Sequence, residues 1–395
     1  MSPEYTACIR RLLAEIGYRE EPLPSYNVNF WGPFHVWVFD TLGPSVPLWG
    51  VKQLAEVEHA AGGISERAYP YAELQLKLII AKLTAIGIVL DDSIENETLY
   101  TEIVQFSHRL CLGEVQPNGI LALFRSMLNE LSDFYGNDAV LRSLAIFPWM
   151  SFLDACLLER EIFTVEVCFE FCAYCNALNM NAQRELKNSQ HIRQHCLSTD
   201  GPGFSRACTR IVRKAFSFPR VVKLTSADSP QYLRSKSGAP EAYAAWIIKG
   251  RKEQDVPLSK YFRALPDLKF YVNFMNDVLS FHKEEIDGET HNFIHLRTRA
   301  LLASGERGGG INGAWTPYDT LNLLCEEIIA ATRRIDKLLS LEECEAKMRG
   351  ETVGSEVDEV DIELAKQWRG WRDGYISWHF ECRRYRLGPI KAAVF

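Results

Sequence analysis

Two stretches of this chain carry long apolar runs at helical spacing, and each ends in a group of oxygen-bearing side chains. The first, Leu74 to Glu95, reads LQLKLIIAKLTAIGIVLDDSIE and is interrupted before Asp91 by Gln75, Lys77, Lys82 and Thr84. A single glycine, Gly87, is tolerated in such a run, so the pattern predicts a long, mostly buried helix. Continued helical spacing places Asp91 and Glu95 one turn apart on one side, with Asp92 beside them. Carboxylates grouped at the end of an apolar helix repel one another and resist burial without a counter-charge. An all-oxygen cluster suits Mg²⁺. Gly87 and Thr84, below Asp91 on the same face, leave room for something bulky. Taken alone, this DDxxE reads equally well as a solvated acidic helix end.

The second stretch, Leu268 to Glu285, reads LKFYVNFMNDVLSFHKEE; it is entered after Pro266–Asp267 and stopped near Gly288. Asn276, Ser280 and Glu284 fall at i, i+4 and i+8, one row on a hydrophobic helix, with Lys283 beside them. An amide oxygen, a hydroxyl and a carboxylate in register have little structural purpose there. Together they make a site for one Mg²⁺, two of the oxygens adding no charge.

Helical patterns recur from Leu54 onward with short polar breaks and no convincing β alternation, which predicts an all-α chain. Residues 25–50 are rich in aromatics, glycine and proline and read as a packed loop, with a mobile cover as the alternative. Gly305 to Pro317 is glycine-rich without the G-K-[ST] of a phosphate loop, hence a flexible connector. Arg349 to Asp361 is acidic and reads as a solvated loop before the last helix.

Composition adds a frame: 395 residues, 47% of them apolar and 24% charged, suffice for a large core. A net charge of −7 gives no reason to expect nucleic acid. The eleven cysteines and the lack of an apolar core in MSPEYTACIRRLLAEIG predict a reduced, cytoplasmic protein. Lys77 and Lys82 interrupt the most apolar stretch, so no membrane span is expected.

The pair DDSIE and NDVLSFHKE resembles the aspartate-rich and Asn/Ser/Glu motifs of class I terpene cyclases, most closely the fungal trichodiene synthase family. Asp373 to Leu387, DGYISWHFECRRYRL, resembles that family's closing helix with its Arg-Tyr pair, here Arg384 and Tyr385. Pro230 to Gly238, PQYLRSKSG, resembles its diphosphate-sensing segment, with Arg234 as the arginine. The likeness covers most of the chain but fails over about 165–225.

The resemblance implies a single helical-bundle domain over 1–395 with an atypical insertion at about 165–225. It implies a sesquiterpene synthase that ionises and cyclises farnesyl diphosphate with three Mg²⁺ in the closed state. Asp91 is then the principal ligand on the first helix, with Glu95, and Asn276, Ser280 and Glu284 hold a further Mg²⁺. Arg234, Lys283, Arg384 and Tyr385 contact the diphosphate, and Asp91, Arg384 and Tyr385 carry the catalytic step. Tyr375 and Trp378 are read as cavity aromatics, with ordinary core packing explaining them equally well. The family pattern has Asp where this chain has Glu95, which displaces that charge. The expected partner is a prenyl diphosphate, with a homodimer left open.

Two other readings stay open. A chain-elongating prenyltransferase is also helical and Mg²⁺-dependent, but it carries two aspartate-rich motifs. A zinc-dependent interaction protein rests on Cys172-x₂-Cys175-x₁₅-His191-x₃-His195, whose spacing suits zinc but whose intervening residues lack an aromatic core.

Overall fold

The structure, a computed structural model, describes residues 2–20, 22, 25–185, 228–305, 315–351 and 357–394, with side chains in the second of the long segments described to 162. The zinc spacing at Cys172 to His195 lies outside the described side chains. The described elements are helices, and no strand occurs among the described residues, as the spacing predicts.

The order is α1 (Pro3–Glu15), α2 (Val28–Trp37), α3 (Val51–Ala68), α4 (Leu74–Asp92), α5 (Glu97–Leu112), α6 (Gly119–Tyr135), α7 (Ala139–Glu185), α8 (Ser229–Lys236), α9 (Pro240–Ile248), α10 (Leu265–Asp287), α11 (Phe293–Ser304), α12 (Pro317–Leu338), α13 (Leu341–Met348), α14 (Glu359–Glu381) and α15 (Gly388–Val394). The contacts divide the chain into two compact units, Met1–Cys156 with Thr225–Phe395, and Leu157–Leu224. Their boundary falls within α7.

Within the first unit the helices pack in a connected series. Helix α4 lies on α3 and α6, α3 on α14, α14 on α9, α9 on α10, and α10 on α12, which also takes α1. Helix α4 holds its central place because Leu76, Ile79, Ile80, Leu83, Ile86, Val89 and Leu90 bury one half of the cylinder and Ala81, Thr84 and Ala85 the other. Helix α10 starts with Pro266 in its first turn and ends on Gly288 at φ 71°, both where the sequence punctuates it. Tyr5 of α1 donates its hydroxyl to the carbonyl of Val278, 3.0 Å away, tying the N-terminal helix to α10.

One crossing depends on a missing side chain. A Cβ at Gly374 of α14 would stand 2.0 Å from the Arg67 carbonyl oxygen of α3, so only glycine allows the two backbones to meet. Beside it a ladder of stacked rings, Trp368, Trp371, Tyr375 and Trp378, runs along α14.

Four expectations are corrected here. Residues 25–50 contain a helix rather than a loop: Asn27 caps α2, and Phe30 and Phe34 bury its inner face one turn apart. Aromatic-rich composition hid that i, i+4 pair. Helix α4 stops at Asp92 instead of running to Glu95, because a turn follows, with Ile94 N–H donating to Asp91 O, and Asn96 then caps α5. Asp91 and Glu95 are therefore not neighbours on one helix. The space beside Gly87 is taken by the Trp149 indole, 3.2 Å from where a Cβ would be, and the Thr84 hydroxyl is bonded to Tyr243 at 2.8 Å. The longest apolar helical segment is Ala139–Ile162 of α7, not α4, and by length and composition it is sufficient to cross a membrane. Its stripe of Leu141, Ala145, Trp149, Phe152 and Cys156 is buried in the first unit, as in a core helix.

Candidate active site

Four elements of the first unit present the sequence-named metal and diphosphate groups: the C-terminal end of α4, helix α8 with Arg234, the second half of α10, and a 3₁₀ turn at Arg383–Tyr385. The turn is a further correction, since Arg384 and Tyr385 were expected on the closing helix. Cys382, in extended backbone, ends α14 first. Tyr385 still meets Trp378, edge to face at 5.2 Å between ring centres.

Asp91 has exposed surface, yet burial is the first reason its carboxyl sits above the usual carboxylate range, and Asp92 is the second. Arg384, Lys283 and Arg234 pull it back down. Asp91 is exposed and so within reach of a small ion, while the protein groups crowded around it account for the upward shift. All three cations named for diphosphate contact are thus electrostatic neighbours of this one carboxyl.

Their present partners differ from the expected ligand. Arg384 donates both terminal nitrogens to Asp92, at 2.8 and 2.7 Å, a two-pronged pair between α4 and the turn. Arg234 is committed to α10: its Nε donates to both oxygens of Asp277 at 2.9 Å, and its terminal nitrogens reach Ser237 Oγ and the Asn273 carbonyl at 3.0 Å. Lys283 faces Glu289 at 3.6 Å. A two-pronged grip on a ligand by Arg384 therefore requires an exchange of partners.

The row on α10 forms as the spacing predicts. Burial pushes Glu284 up to about 7, with nearby Ser280 favouring its charged form and Asp277 adding to the rise; the Ser280 hydroxyl donates to the Asp277 carbonyl at 3.4 Å. Ser280 is buried. Asn276 donates its amide nitrogen to the Tyr385 hydroxyl, 3.0 Å away, and to His379 Nε2 at 3.2 Å. Its Oδ1 accepts no hydrogen bond among the described residues. Glu95 is exposed in the turn after α4.

Among the described residues no three His, Cys, Asp or Glu side chains stand together as a ready-made metal group. The α10 row contributes one residue of those types. The chemistry of that row nevertheless fits Mg²⁺: an amide oxygen left bare, a hydroxyl, and a desolvated carboxyl lacking a full counter-charge.

Tyr375 and Trp378 are buried, at 4% and 6% exposure, and their polar atoms donate to the Val272 carbonyl at 3.3 Å and the Ala60 carbonyl at 3.0 Å. Core packing accounts for both. Sequence reasoning missed Asp277, His379 and the cluster of Trp149, Tyr243 and Trp246 beneath α4, where ring centres lie 4.9 to 6.2 Å apart. Asp277 pairs with Arg234 across 43 residues, and the cluster joins α7 to α9; neither has a local signal.

No protein-family model matches the chain. It is similar to the terpene synthase BipA of Cochliobolus sativus, 26% identical over 319 residues, covering 81% of this chain and 71% of the relative. It is also similar to an (E)-beta farnesene synthase of Metarhizium brunneum, 24% identical over 395 residues, covering 98% and 89%. Among solved structures it resembles a linalool/nerolidol synthase of Streptomyces clavuligerus in complex with 2-fluorogeranyl diphosphate (TM-score 0.52, 12% identity, covering 88% and 98%). A germacradien-4-ol synthase of Streptomyces citricolor matches at a TM-score of 0.50 and 12% identity, covering 96% and 95%. The fold is the class I terpene synthase helical fold. The enzyme class that fold and relatives define together is a terpene cyclase, a lyase.

Proposed function

We propose that this protein is a Mg²⁺-dependent sesquiterpene synthase, of the kind represented by the fungal trichodiene synthases, that cyclises farnesyl diphosphate and releases diphosphate. The observation that carries the reading is the convergence of two features. An accessible carboxylate at the end of α4, Asp91, has Arg234, Lys283 and Arg384 as electrostatic neighbours, and the Asn276, Ser280 and Glu284 row presents oxygen ligands on α10.

In this proposal Asp91 and the α10 row hold the metal, and Glu95 is left without a ligand role because α4 ends before it. Bound Mg²⁺ neutralises charge on the departing diphosphate. Arg384 and Lys283 add fixed positive charge where negative charge develops, Arg384 through a fork that suits two phosphate oxygens. Asp92 holds that fork in place until a diphosphate competes for it. Tyr385 helps keep the Asn276 amide in place by accepting its hydrogen bond. The Trp149, Tyr243 and Trp246 cluster supports α4 from beneath, Trp149 against Gly87 and Tyr243 bonded to Thr84.

The geranyl diphosphate analogue bound by one solved neighbour favours a ten-carbon substrate as the second reading. Incubation with Mg²⁺ and either farnesyl or geranyl diphosphate, followed by volatile analysis, separates the two. The proposal expects a cyclic sesquiterpene from the former at higher kcat/KM. Turnover confined to geranyl diphosphate would replace it with the second reading.

A further inference from the structure

His379 is wholly buried on α14, boxed by Tyr375, Trp378 and Tyr385 with ring centres 4.3 to 4.5 Å away. Its protonation pattern follows from its contacts. Nδ1 lies 2.8 Å from the Tyr375 carbonyl oxygen, which can only accept, so Nδ1 carries the hydrogen. The ring is wholly buried and its hydrogen-bonded neighbours, the Tyr375 carbonyl and the Asn276 amide, carry no charge, which favours the neutral imidazole. Nε2 is therefore a bare acceptor, and it faces Asn276 Nδ2 at 3.2 Å.

An asparagine amide can be turned either way, and its two ends differ only in hydrogen bonding. With Nδ2 toward His379, both amide hydrogens are used, one on Nε2 and one on the Tyr385 hydroxyl. Reversed, Oδ1 could still accept from the Tyr385 hydroxyl, but it would confront the Nε2 lone pair and leave that buried nitrogen unpaired.

We propose that His379 is a positioning residue that fixes the Asn276 amide so that Oδ1 is presented as an oxygen ligand. The Tyr375 carbonyl sets the His379 tautomer, His379 sets the amide, and the amide offers oxygen. The device rests on the reading of Asn276 as a metal ligand. Without it the amide would divide its time between an oxygen that binds a cation and an NH₂ that repels one.

The test uses the full-length protein with Mn²⁺ and inorganic diphosphate as probes, bound Mn²⁺ being read by electron paramagnetic resonance. His379→Phe keeps the ring and removes the acceptor, and the expected result is about 10-fold weaker Mn²⁺ binding, the usual scale for losing an orienting partner. His379→Gln restores an acceptor near the same place and should recover most of that loss. The Mg²⁺ requirement of turnover should rise in His379→Phe while kcat returns at saturating Mg²⁺. A purely structural role would not give that split.

Wild-type Mn²⁺ affinity in folded His379→Phe overturns the proposal. So does a ¹⁵N spectrum of the wild-type protein showing the hydrogen of His379 on Nε2, a measurement that needs no variant to fold. Asn276→Ala and Glu284→Ala separate this from the underlying reading. If both bind Mn²⁺ as wild type does, the metal site itself is wrong; if both lose it while His379→Phe does not, only the positioning role falls.

Discussion

Arg384 gives both terminal nitrogens to Asp92, and that partner decides how its role is tested. Arg384→Lys keeps the charge and loses the planar fork. One charge-assisted bond of about 1.5–3 kcal/mol predicts a fall in kcat/KM of roughly 10-fold or more, with weaker inhibition by diphosphate. Wild-type values for both would remove Arg384 from the diphosphate site. Glu284 gives a pH prediction. Its folded-state value, about 7, lies above the usual 4.5, so the native state holds the proton more tightly than the unfolded chain between those limits. Metal-free stability should therefore fall as pH rises through that window, and Glu284→Gln should flatten the fall. Added Mg²⁺ should raise Tm more at pH 8 than at pH 5, because only the ionised carboxyl binds it. An equal rise at both would contradict the assignment. The α10 row was legible because Asn276, Ser280 and Glu284 repeat every fourth residue. The Arg384–Asp92 and Arg234–Asp277 pairs were not, since each joins residues far apart in sequence.

At the scale of elements, α4 and α10 were read almost to their ends, because apolar spacing and Gly288 are local signals. Helix α2 was not, because Pro33 and a run of aromatics obscured a pair of buried phenylalanines. The end of α4 was misjudged by three residues, since Asn96 captures the chain as the cap of α5. The α3–α14 crossing leads to a prediction about glycine. Gly374→Ala must push the α3 and α14 backbones apart and should cost about 1–3 kcal/mol or more. Gly370→Ala meets instead the ring edge of Tyr71, 2.7 Å away on an exposed side chain that can turn aside. Urea unfolding of the two variants checks this; equal midpoints would show that the crossing has slack.

On the scale of the whole molecule, the all-α class followed from the absence of alternating strands, whereas the segment at about 165–225 stood out because the family resemblance fails there. We propose that the insertion read at about 165–225 is dispensable for the chemistry. Loop closure grows slowly with length, so deleting Val167 to Ser217 should leave soluble protein with most of its cyclase activity. Complete loss of soluble protein would show that the segment belongs to the core. The central claim, that the α10 row holds the metal that makes diphosphate a leaving group, is tested most directly by one comparison. Diphosphate release from farnesyl diphosphate is measured against Mg²⁺ concentration for the wild-type protein and for Asn276→Ala, with circular dichroism confirming the fold. The account predicts Mg²⁺-dependent release by the wild type, and a sharp loss of turnover in the variant at physiological Mg²⁺. Equal release by both at every Mg²⁺ concentration would contradict it.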